Sequence, residues 1–373
     1  MVMNMTQKTQ SSTGETKKSL SLIDTDIHQT YRSEEEIAKY LPSRYENTGV
    51  ELPGRLYNNP GGVLRSDAIP DAGGRPGSSV ENVKKYLLDE YSVDYGILTG
   101  DLLSLCMLPN RDYATSLAQA YNEWLIDRWL DNTDPRLLGS VLVAPQDPES
   151  AAETIRQYGS HPRMVQVLMN SVSEGGYGQP FYWPIYEAAE EMGLPVALHP
   201  ANQGSGISDP PTGVGYPRSY FERHNAIPIL HMAQLNSLVS EGVFVEFPNL
   251  QIAMIEGGFS WVPMMLWRMD KNWKGLRDQV PWMKQPPSKY VIDNVYFSTQ
   301  PIPEPEDVND LKRIFEMMHA EKTLMFASDY PHWDNDDPEY GLPRMEEPMR
   351  SQVRYGNAQD LYDLPDNPSK LRS

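Results

Sequence analysis

Asp26 and His28 stand two apart in the segment Asp24-Thr25-Asp26-Ile27-His28. Alternate side chains of a β-strand leave the same face, so these two can grip one cation together. His199, followed at once by Pro200, closes another apolar run, and Asp329 closes a third within Ser328-Asp329-Tyr330-Pro331-His332. Imidazole nitrogen and carboxylate oxygen make a mixed ligand set that suits zinc, iron or manganese. Singly, each residue also has a structural use, as a helix cap or a satisfied core histidine. Their joint placement at the ends of separate strands is what points to a divalent metal.

Four more residues extend the set. Glu256 precedes Gly257-Gly258, where the backbone can be approached closely. It reads as a further ligand or a general base, since a partly dry pocket raises a glutamate pKa toward the working pH. His224 and His231 lie seven apart on one expected helix, 223–247, hence on one face, and His332 follows Asp329 by three. Asp329, Glu256 and His231 are the expected proton-handling groups. If all of them face one mouth, three carboxylates and five of the chain's seven histidines meet there. That exceeds the needs of one ion, and two ions about 3.5–4 Å apart become an alternative. Arg55, Arg65, Arg218 and Arg223 flank the same ends and are candidates to hold a substrate carboxylate.

Eight short apolar segments supply the ends on which these residues sit: 20–28, 94–99, 137–144, 164–169, 195–199, 251–256, 294–299 and 323–329. Each is rich in Val, Ile, Leu, Met or Phe and short enough for a fully buried strand. Helical patterns intervene at 111–130, 148–158 (after the capping candidate Asp147), 182–192, 223–247 and 308–320, and Ser33 is expected to cap a short acidic helix. Alternating strands and helices imply a parallel sheet, and eight strands favour a closed, distorted (β/α)₈ barrel. Two Pro- and Gly-rich stretches, 41–79 and 202–217, follow strands one and five and are expected at the active-site mouth.

Bulk properties narrow the function. The chain has 373 residues, enough for one barrel of roughly 250 residues with long loops. Residues 1–19 read as a polar tail and 20–373 as a single barrel domain. A net charge of −19 argues against nucleic acid and anionic membranes as partners. No apolar run approaches the ~18 residues of a membrane helix, and no signal-peptide core is present. One cysteine, Cys106, allows no internal disulfide. The expected setting is cytoplasmic and the expected partner a small-molecule substrate.

On IDTDIH (23–28), ALHP (197–200), residues 235–270, FASDYPHWD (326–334) and YGNAQDLYDL (355–364), the chain resembles the amidohydrolase superfamily. Within it, the similarity is to the branch of aminocarboxymuconate-semialdehyde decarboxylase and related benzoate-type decarboxylases. The resemblance implies a barrel around one divalent ion, held by His-x-His on strand one, His on strand five and Asp on strand eight. It further implies hydrolysis or non-oxidative decarboxylation of a small, carboxylated substrate, in a homo- or hetero-oligomer. Two positions depart from the pattern: Asp26 replaces the first histidine, and Glu256 stands where a catalytic histidine is usual. The fourth strand has neither Lys nor Glu to bridge two ions. Two alternatives stay open. One is a dinuclear iron or manganese O₂-dependent hydroxylase, which would need an electron-transfer partner. The other is a non-catalytic subunit paired with an active homologue.

Overall fold

The computed structural model describes residues 20–371, so the tail expected at 1–19 lies outside the described residues. The eight strands are β1 (Ile23–Ile27), β2 (Tyr95–Leu98), β3 (Leu137–Leu142), β4 (Met164–Asn170), β5 (Val196–His199), β6 (Ile252–Met254), β7 (Val295–Ser298) and β8 (Leu324–Met325). All are parallel and run β1 to β8 in sequence order. Each coincides with a segment expected from its apolar run, and nearly every strand residue is buried.

The ring closes beyond the end of β8. Residues 326–330 run beside β1, with Thr25 N–H on the Phe326 carbonyl at 3.0 Å and His28 N–H on the Tyr330 carbonyl at 2.7 Å. The result is a (β/α)₈ barrel, and parallel strands put all eight C-terminal ends on one rim. Helices Arg111–Leu125, Pro148–Tyr158 and Trp183–Met192 cover the outside where their periodicity placed them. Asp147 caps Pro148–Tyr158 by accepting from Ser150 N–H. Ser33 occupies the cap position before Glu34–Ala38 but makes no capping bond.

One expected element is wrong in a way that matters for the site. The helix at 223–247 is three helices: Tyr220–Asn225, Ile227–Ser240 and Val243–Glu246. Pro228 has no N–H and a fixed φ, so it starts a helix and does not continue one. Gly242, at φ +79°, provides the second break. His224 and His231 therefore belong to different helices and share no face. The 308–320 helix also ends early, at Met317, with His319 in a left-handed turn. Among the described residues no helix is long and apolar enough to cross a membrane.

Candidate metal centre

Asp26, His28, His199 and Asp329 each offer one ligand atom to a common point, all four atoms lying within 4.8 Å of one another. None of the four is more than 3% exposed. Nε2 of His28 and Nε2 of His199 face each other at 3.1 Å. His28 Nε2 also lies 3.4 Å from Asp26 Oδ1 and 3.1 Å from Asp329 Oδ1, and His199 Nε2 lies 3.4 Å from Asp26 Oδ2.

The surroundings prepare these atoms for a cation. Nδ1 of His199 lies 3.0 Å from the Pro200 carbonyl, which can only accept, so Nδ1 carries the proton and Nε2 keeps its lone pair. Asp26 Oδ1 accepts the Thr99 hydroxyl at 2.6 Å, while Asp26 Oδ2 and Asp329 Oδ2 are buried without a hydrogen-bond partner. Orphaned carboxylate oxygens beside two convergent imidazole nitrogens are costly by themselves and are satisfied by a divalent ion. The donor set fits the metal expected from the sequence, with Asp26 standing where the resemblance implies a histidine.

A second group, His28, Glu256, Asp329 and His332, overlaps the first. Glu256 Oε2 is 3.2 Å from His199 Nε2, and Glu256 N–H donates to the Ser298 hydroxyl at 2.9 Å. Glu256 has a left-handed backbone, φ +54°. His332 Nδ1 lies 2.6 Å from Asp329 Oδ1, and its ring sits 4.0 Å from that of His28. A strap of the loop after β1 holds this turn: Leu64 bridges His332, and Trp333 N–H bonds the Val63 carbonyl at 3.0 Å.

The carboxylates set the proton affinities. Burial opposes charge on His28, but Asp26 and Asp329 outweigh it and lift its pKa to about 10. Glu256 is raised well above the usual range by burial, then by Asp329 and Asp26. Burial acts the same way on Asp329, yet His332 and His28 hold it below the ordinary carboxylate value.

Two expected members are not in either ligand group. His231 is fully buried, its Nε2 3.4 Å from both the Leu198 carbonyl and the Ser171 hydroxyl. A Cβ at Gly257 would lie 2.6 Å from its ring, so it packs beneath the Glu256 turn and does not line the mouth. Burial lowers its pKa to about 4. His224 reaches the pocket wall, but its Nε2 pairs with Asp334 at 3.1 Å. Both corrections follow from the broken helix, which turns the two side chains in unrelated directions.

Above the ligand candidates opens a pocket whose wall includes Arg55, Tyr57, Tyr220, Arg223, His224 and Trp333. Arg223 Nε donates to Gln203 at 2.6 Å, and Arg55 lies 3.9 Å from Asp101. Arg65 instead binds Asp67 and Asn335 away from the pocket, and Arg218 is exposed. Asn170 ends β4 with its amide on Ala201 and Leu103 carbonyls, so that strand contributes no bridging ligand. Thr99, Ser298, Tyr220 and Trp333 escaped notice in the sequence. Thr99 closes the second apolar run and was the one with a readable position.

The family profile described as amidohydrolase matches residues 85–364. A γ-resorcylate decarboxylase of Rhodococcus jostii (strain RHA1) is 27% identical over 267 residues, covering 68% of this chain and 77% of that one. Solved structures share the fold. A 5-carboxyvanillate decarboxylase of Novosphingobium aromaticivorans DSM 12444, complexed with manganese and 4-hydroxy-3-methoxy-5-nitrobenzoic acid, superposes with TM-score 0.67 at 22% identity, covering 97% of this chain and 100% of that one. A dihydroxybenzoic acid decarboxylase of Polaromonas sp. JS666, with manganese and 2-nitroresorcinol, gives TM-score 0.64 at 20% identity, with 92% and 97% coverage. With a barrel fold and a profile match over most of its length, this chain belongs to the amidohydrolase family.

Proposed function

We propose that this protein is a metal-dependent lyase that releases CO₂ non-oxidatively from a small carboxylated aromatic compound. The observation that carries this is the buried Asp26–His28–His199–Asp329 cluster, with its two orphaned carboxylate oxygens, at the floor of an arginine-bearing pocket. The decarboxylase activity named for its relatives supports it. Asp26, His28, His199 and Asp329 would hold the ion, and manganese, present in the related structures, stands ahead of zinc or iron. When bound, such an ion polarises substrate oxygens and neutralises their charge.

The chain's own residues account for the rest. Arg223, fixed through Nε by Gln203, presents its remaining guanidinium donors as a carboxylate anchor. Tyr57, Tyr220 and Trp333 give the pocket aromatic walls for a planar ring. Glu256, whose hold on a proton is strengthened by burial and its acidic neighbours, donates that proton to the ring carbon as the C–C bond to the carboxylate breaks and CO₂ departs. The Asp26–His28–His199–Asp329 group favours a metal-bearing enzyme over a metal-poor partner subunit.

A dinuclear, O₂-dependent hydroxylase is the second possibility, favoured by one observation: the overlapping group His28, Glu256, Asp329 and His332. The test is metal analysis of protein expressed with manganese and iron, followed by anaerobic incubation with a panel of hydroxybenzoates. One manganese per chain and CO₂ release without O₂ are expected. Two ions per chain, no CO₂, and O₂ consumption on addition of a reductant would replace the decarboxylase with the hydroxylase.

A further inference from the structure

Where the barrel closes, one strand carries a residue too many. Thr25 N–H meets the Phe326 carbonyl and His28 N–H meets the Tyr330 carbonyl, so the stretch from 25 to 28 faces the stretch from 326 to 330. The surplus makes a bulge, and Asp329, at φ +62°, takes its left-handed turn. In an unbulged parallel ladder Ser328 N–H would bond the Thr25 carbonyl. It bonds Oδ1 of Asp24 at 2.9 Å instead, and the same oxygen accepts Asp26 N–H at 3.2 Å.

Asp24 is fully buried, and its Oδ2 has no partner. It belongs to neither ligand group and does not line the pocket. A half-satisfied carboxylate inside a barrel is costly, and what it holds is the backbone beside two metal-ligand candidates on different strands.

We propose that Asp24 is a positioning residue for the metal centre. Its Oδ1 ties Ser328 N–H to Asp26 N–H, sets the bulge that turns Asp329 into the mouth, and so keeps the Asp26 and Asp329 carboxylates aimed at one point. This rests on the metal-binding role given to those residues above.

Manganese titrated into the full-length chain, followed by electron paramagnetic resonance and by the shift in Tm, tests it. Asp24→Ala is expected to weaken manganese binding by roughly 10- to 100-fold, the usual cost of losing a group that orients a ligand, and to shrink the rise in Tm that manganese produces. A merely structural role would lower the Tm of the metal-free protein and leave that rise as in the wild type, which overturns the proposal. Asp24→Asn keeps the acceptor oxygen and is expected to bind manganese nearly as the wild type does. A loss of about tenfold or more in that variant overturns the acceptor role, and decides the matter alone if Asp24→Ala does not fold. Wild-type protein that binds no manganese overturns the metal centre and the role of Asp24 together. Wild-type binding that Asp24→Ala leaves unweakened overturns Asp24 alone.

Discussion

The mouth of the barrel has an inner and an outer ring, and they are built differently. The inner ring, Asp26, His28, His199 and Asp329, stands on strand ends or just past them and is buried. The outer ring, His332, His224, Arg55, Arg223 and Trp333, comes from loops and a short helix and meets solvent. Strand pairing sets the direction of Asp26 and His199, and the backbone bonds that close the ring set those of His28 and Asp329, so the barrel itself and not the long loops makes the inner atoms converge. Outer groups take their direction from contacts between loops, such as the Leu64–His332 bridge and the His224–Asp334 pair. Metal retention should therefore follow the inner ring, and substrate choice the outer one. Glu256 lies between them: it is buried like the first, and it stands two residues past the end of β6 in a left-handed turn from which it lines the pocket.

Changing the inner ring should have the largest effect. His199→Ala is predicted to leave the purified protein without stoichiometric manganese, and without detectable turnover, by metal analysis and CO₂ release. Full manganese retention would break the division between the rings.

Glu256→Gln should follow. It keeps the shape and removes the transferable proton, so kcat is expected to fall roughly 10²- to 10⁴-fold with one manganese still bound. Loss of one of two ions in this variant would move Glu256 into a dinuclear centre.

In the outer ring, Arg223→Ala is predicted to raise KM and spare the metal. Losing hydrogen bonds to a substrate carboxylate costs about 1.5–3 kcal/mol, or about 10- to 100-fold. A fall in kcat at unchanged KM would place Arg223 in the chemistry and not in binding.

The last effect, absent at neutral pH and felt in stability rather than in turnover, concerns His231 beneath the rings. Its folded pKa of about 4 lies below the ordinary 6.5, so the unfolded chain gains a proton that the folded chain refuses. Its contribution is complete above pH 6.5 and declines as pH falls toward 4, by roughly 3 kcal/mol in total. Urea unfolding of His231→Gln beside the wild type, at pH 7 and at pH 4.5, should show the loss in the wild type reduced in the variant. Equal losses would mean that His231 is not held neutral.

The legible part of the site and the hidden part divide along the same line. Asp26 and His28 could be read from alternation alone, His199 from the proline that ends its strand, and Asp329 from the apolar run before it. Most of the strands were visible because a strand buried on both faces is largely apolar; β1, with Asp24, Thr25 and Asp26 buried, departs from that where the site is built. His231 and His224 misled because helical spacing assumes a continuous helix, and Pro228 interrupts it. Thr99 and Ser298 were passed over because a strand-end hydroxyl looks the same whether or not a carboxylate or an N–H lies opposite.

Local covalent periodicity, then, determined by itself the strands, their order of appearance and the four residues at their ends, since these depend on neighbours along the chain. Only the tertiary structure decided that β1 and β8 meet with an extra residue between them, that Asp24 takes up the displaced N–H, and that Asp329 turns inward. Those features depend on hydrogen bonds between residues some 300 positions apart, such as Ser328 and Asp24, and no spacing within either segment encodes the register at which two distant strands close a ring.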